Sequence, residues 1–111
     1  MSLTISKAQD LALKTFEEIN LRIKVAKGKE WNPFMIVTDI LEEAGEVASI
    51  VKGLEGYKPP EKVKTKEALA SELSDLLYNL FLLAGRYGIN LEDSFVQTIQ
   101  GYRRRFLNMD E

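Results

Sequence analysis

Two stretches of the chain carry carboxylates at spacings that let them act together. The first holds Asp39, Glu42, Glu43 and Glu46; the second holds Glu72 and Asp75, with Asn79 one turn further on. At about 100° per residue, the first four acids fall within an arc of roughly 100° on a helix. A solvated helix face ordinarily pairs Glu with Lys or Arg four residues on. This face has no base between Pro33 and Lys52. Asp39 with Glu43, and Glu42 with Glu46, are like-charged i,i+4 pairs that each cost roughly 0.2–0.5 kcal/mol. A bound cation would reverse the sign of that cost.

The second stretch is more telling. Glu72, Asp75 and Asn79 form one polar stripe within about 60°. Around it stand Leu69, Leu73, Leu76, Leu77, Leu80, Phe81, Leu83 and Ala84. A helix this apolar is expected to be buried on several sides. Carboxylates carried inward with it must be paired or bind metal, because burying an isolated charge costs several kcal/mol. Arg86 lies on the same stripe and offers the alternative, a structural ion pair. Two helices that each present acids at i and i+3 can converge on one cation cluster.

The absent residue types narrow the chemistry. The chain has no Cys and no His. That excludes disulfides, thiolate zinc sites, a Ser-His-Asp triad and a Glu-x-x-His iron site. A metal here takes oxygen ligands only, which selects Mg²⁺, Mn²⁺ or Ca²⁺. Mg²⁺ in particular keeps several waters and meets its substrates through phosphates.

Helical elements are needed to position these acids, and the sequence supplies four. The first is expected from about Lys7 to Ala26, with Ser6 and Gln9 resembling a capping box and Leu11, Phe16, Ile19 and Ile23 at helical spacing. The second runs from Pro33 to about Leu54, with Asn32 as N-cap and Gly53 and Gly56 at its end. Thr65 caps a third from Lys66 to Tyr87, closed by Gly88, and Asn90 caps a fourth from Leu91 to about Leu107. No strand signal or repeat competes. The expectation is an all-α single domain over residues 1–111, an antiparallel four-helix bundle. The apolar third helix predicts completion of the fold by oligomerisation, as a dimer or tetramer.

The string Glu42-Glu43-Ala44-Gly45-Glu46, followed after a spacer by Glu72-Leu73-Ser74-Asp75, resembles the MazG family of all-α nucleoside triphosphate pyrophosphohydrolases. That family carries E-E-x-x-E, a variable spacer, then E-x-x-D. Asp75-Leu76-Leu77-Tyr78 and Gly88-Ile89-Asn90-Leu91-Glu92-Asp93 extend the likeness, which covers most of the chain from Trp31 to Phe106. The resemblance implies hydrolysis of a nucleoside triphosphate (NTP or dNTP) between the α- and β-phosphates, giving a monophosphate and pyrophosphate. It implies Mg²⁺, with Mn²⁺ as a substitute, held by Glu43, Glu46, Glu72 and Asp75. Glu42 is then the candidate to orient or deprotonate the attacking water, an assignment shared with the ligands themselves.

Candidate substrate residues are Trp31, Asn79, Lys58, Arg86, Arg103 and Arg104. Trp31 could stack on a base or act as a packing anchor. Asn79 could bond the base, the sugar or a metal ligand. The arginines of the fourth helix could meet phosphates or simply favour its C-terminus. Two other functions fit the same residues: the related phosphoribosyl-ATP pyrophosphohydrolase of histidine biosynthesis, and a non-catalytic helical module that binds metal or nucleotide. A formal net charge of -2 argues against binding nucleic-acid polymers. No apolar run approaches the ~20 residues of a membrane span, and with no secretory signal pattern a cytoplasmic location is expected.

Overall fold

A computed structural model of the chain describes residues 2–22, 32–59 and 64–108. Among them are four helices: α1 (Ile5–Arg22), α2 (Pro33–Leu54), α3 (Lys66–Arg86) and α4 (Leu91–Leu107). The all-α class is as the sequence implies. The expected extension of the first helix to Ala26 lies outside the described residues.

Local chemistry sets the helix starts. The Asn32 side chain accepts a hydrogen bond from Met35 N–H, Thr65 from Ala68 N–H, and Asn90 from Glu92 and Asp93 N–H. Each satisfies N–H groups that the first helical turn leaves without partners. The α1 start differs from the sequence reading. Thr4 Oγ1 accepts from Lys7 N–H, so Thr4 does the work expected of Ser6. Ser6 and Gln9 form no capping box, because both are engaged by the distant α3–α4 turn. Ser6 N–H donates to Glu92 Oε1 at 3.1 Å. Gln9, only 5% exposed, donates through Nε2 to the Ile89 carbonyl at 2.7 Å and accepts through Oε1 from Leu91 N–H at 3.0 Å. The turn itself needs Gly88, whose φ is +66°, a conformation costly for residues with a Cβ.

The closest helix pair is α2 with α3; α1 packs on α3, and α4 chiefly on α1. Ile36, early in α2, and Leu82, late in α3, line one cavity, and Glu43 meets Glu72 and Asp75. The two helices therefore run in opposite directions. Gly85 lets α1 approach α3 closely: a Cβ there would stand 2.5 Å from Leu13 Cδ2. The buried apolar core is small, comprising Ala12, Ile36, Ile50, Phe81, Leu82 and Ala84.

The third helix departs from expectation. It is not covered all round: Leu73, Leu77 and Leu80 are exposed, as are Phe95, Val96, Ile99 and Tyr102 on α4. None of the residues of α4 is buried. The radius of gyration is 17.4 Å, against about 13 Å for a compact chain of this length.

Candidate metal centre

The acid stripes of α2 and α3 meet where the sequence places them. One carboxylate oxygen from each of Glu43, Glu72 and Asp75 lies within 4.8 Å of the others. Glu43 and Glu72 are half-buried, whereas Asp75, expected to point inward, is exposed at the edge of the cluster. Crossing helices bring only part of each stripe together. Glu43 borders the apolar arc of α2 and so turns toward α3. Glu42 and Glu46 lie further round and are exposed, and Glu46 is outside the 4.8 Å group.

The electrostatics of the cluster are unrelieved. Glu43 Oε2 is buried with no hydrogen-bond partner among the described residues. The Glu43 carboxyl is pushed up to about 7 by a hydrogen bond with the Glu72 carboxyl, by burial, and by the charges of Glu72, Asp75 and Asp39. Every one of these influences disfavours the carboxylate, and none comes from a basic group among the described residues. Such an arrangement suits a cation. The donors are all oxygen, they converge from two helices, and one of them is a buried acceptor without a donor. These features match the ligand preference of Mg²⁺ or Mn²⁺. Glu43, Glu72 and Asp75 would hold the ion.

A cavity of about 230 Å³ opens beside the acids. Its apolar walls include Phe16 and Ile19 of α1 and Leu82 of α3; its polar lining includes Asp39, Asn79 and Tyr78. Burial raises the Tyr78 hydroxyl above its ordinary value, so it stays protonated at neutral pH. Asn79 is 7% exposed, and its Nδ2 donates to the Asp75 carbonyl at 3.1 Å. Sequence reasoning placed Asn79 on the acid stripe but gave no cavity role to Phe16, Asn20, Asp39 or Tyr78. Asp39 had a signal, since it precedes Glu43 by one helical turn. The α1 residues had none, because their place follows from how α1 crosses α3.

The other candidate substrate residues are dispersed. Lys58 Nζ donates to Ser49 Oγ on α2. Arg86 lines a second cavity of about 200 Å³ with Glu17 and Asn32, which shares Phe16 and Leu82 with the first. Arg103 and Arg104 stand on α4 and line neither cavity. Trp31 lies outside the described residues.

The chain is similar in sequence to known proteins. Residues 33–108, which carry both acid stripes, match the family model of the MazG nucleotide pyrophosphohydrolase domain. The chain is 35% identical over 83 residues to the uncharacterized protein YvdC of Bacillus subtilis, covering 69% of this chain and 78% of that protein. It is 26% identical over 96 residues to the uncharacterized protein YpjD of the same organism, covering 83% of this chain and 86% of that one. No solved structure matches the chain. On the match across residues 33–108 and the likeness to YvdC, the chain belongs to the MazG nucleotide pyrophosphohydrolase family.

Proposed function

We propose that the protein hydrolyses a nucleoside triphosphate, NTP or dNTP, between its α- and β-phosphates, releasing a monophosphate and pyrophosphate. The observation that carries this reading is the convergence of Glu43, Glu72 and Asp75 within 4.8 Å, at the mouth of a cavity of about 230 Å³. Family membership supports a nucleotide pyrophosphohydrolase reaction. The cluster supplies the means to hold a polyphosphate, and the apolar cavity beside it suits a base or sugar.

In this reading Glu43, Glu46, Glu72 and Asp75 hold Mg²⁺, with Glu46 joining from its exposed position one turn along α2. A divalent ion held by these residues would neutralise phosphate charge and polarise the attacking water. Glu42, exposed next to Glu43, takes the proton from that water as it attacks the α-phosphorus. The bond to the bridging oxygen breaks and pyrophosphate leaves. Arg86, which lines the adjoining cavity, Lys58, Arg103 and Arg104 are the proposed partners of the phosphates.

We further propose that the protein works in the cytoplasm as a homo-oligomer. Its exposed area is 8847 Å², against roughly 6,200 Å² for a compact monomer of this mass. The difference exceeds the ~800 Å² per partner that a stable interface buries. The exposed leucines of α3 and the aromatics of α4 are the surface to be covered. Among the described residues no helix is long and apolar enough to cross a membrane.

The test is a pyrophosphate-release panel of NTPs, dNTPs and phosphoribosyl-ATP with Mg²⁺ or Mn²⁺. Turnover that vanishes with chelator is expected. Release from phosphoribosyl-ATP alone would move the assignment to histidine biosynthesis. No release from any nucleotide, with Mg²⁺ still raising the melting temperature, would leave a binding module. Light scattering at micromolar concentration should give at least a dimer.

A further inference from the structure

The polar lining of the acid-side cavity is strongly biased toward hydrogen-bond acceptors. Asp39, Glu43 and Asp75 contribute carboxylates. Asn79 adds another acceptor, and its orientation is set by chemistry. The Asp75 carbonyl can only accept, so the Asn79 group facing it at 3.1 Å must be the Nδ2 amine. That leaves Oδ1 as the acceptor end of a side chain that is 7% exposed and lines the cavity. Tyr78 and Asn20 can each donate or accept. Among the described residues no Lys or Arg lines the cavity.

We propose that this cavity selects nucleobases carrying the amine of cytosine C4 or adenine C6 over the keto bases that hold a carbonyl at that position. The proposal rests on the nucleotide reading of the site. Phe16, Ile19 and Leu82 supply apolar surface for the ring of either kind of base. Selection falls to the edge. An exocyclic amine presents two hydrogens, which can serve Asn79 Oδ1 and the Asp39 carboxylate. A uracil N–H is flanked on both sides by carbonyl oxygens. It cannot satisfy one acceptor without setting another oxygen against the lining, and an unpaired acceptor is costly away from water. With a cation engaging Glu43 and Asp75, the two acceptors left to read the base are Asp39 and Asn79.

Matched pairs that differ only by deamination give the test: dCTP against dUTP, and ATP against ITP. The wild type is expected to favour the amino member by about tenfold to a hundredfold in kcat/KM. Asp39→Asn introduces a donor and should shrink the dCTP/dUTP ratio. Asn79→Leu removes the acceptor and should shrink it too. Binding of dCMP and dUMP by calorimetry reads the cavity without turnover, and dCMP should bind more tightly. Equal kcat/KM within each pair, or variants that keep the wild-type ratio, would overturn the proposal while leaving the pyrophosphohydrolase reading intact. Absent turnover with dCMP still preferred over dUMP would do the reverse.

Discussion

Gln9 and Glu43 both hold polar atoms away from water, and the chain treats them in opposite ways. Gln9 has both ends of its amide paired, to the Ile89 carbonyl and to Leu91 N–H. Glu43 Oε2 is buried without a donor and is crowded by Glu72, Asp75 and Asp39. The Gln9 joint is complete as folded, and its product is rigidity in the α3–α4 turn. Among the described residues the Glu43 cluster has no group that satisfies it, and a bound cation would. The contrast separates a structural polar group from a functional one on hydrogen-bond accounting alone.

Substitutions in the two regions should therefore fail differently. The largest effect is expected from Asp75→Asn or Glu72→Gln. Pyrophosphate release should fall by at least about a hundredfold, while melting in chelator stays level or rises as like charges are removed. Activity near wild type would sink the assignment of the cluster. Gln9→Leu should show the mirror image. It strands the part-buried Ile89 carbonyl and Leu91 N–H and costs about 2 kcal/mol in urea denaturation, with turnover by the folded fraction preserved.

The pH dependence of the metal-free protein sharpens the comparison. Glu43 titrates near 7 when folded against 4.5 ordinarily. Between those values the folded state keeps a proton that the unfolded chain has lost. Stability is then fully present below about pH 4.5 and declines as pH rises through about 7. Mg²⁺ should reverse the decline, and Glu43→Gln should remove it. A metal-free protein equally stable at pH 5 and pH 8 would contradict the crowding seen around Glu43. The smallest effect is expected at Gly85→Ala. Its new Cβ would stand 2.5–3.1 Å from Leu13 Cδ2, Cδ1 and Cγ, a side chain that must shift, so about 1 kcal/mol of destabilisation is expected, with activity retained.

Much of this was legible in the sequence because it is local. Asn32, Thr65 and Asn90 cap their helices as their positions imply, and the acid spacings already put Glu43, Glu72 and Asp75 on facing stripes. What the sequence hides is set between helices. Ser6 and Gln9 have the spacing of a capping box, but their partners lie at Glu92, Ile89 and Leu91, eighty or more residues away. Glu46 shares a motif with Glu43, yet the crossing of α2 and α3 gathers only Glu43. The apolar girth of α3 implies burial, but the chain leaves Leu73, Leu77 and Leu80 open. A hydrophobic pattern reports that a face is to be covered without saying which molecule covers it.

The Gln9 joint has one further consequence, for α4. That helix is aimed by its first turn through Asn90, Glu92 and Gln9, yet none of its residues is buried. It is an arm with a stiff pivot and a loosely held length. In a lone chain its amide hydrogens beyond the first turn should exchange with solvent well before those of α3. Slow exchange along α4 would then measure assembly, and dilution should erase it while leaving α3 protected.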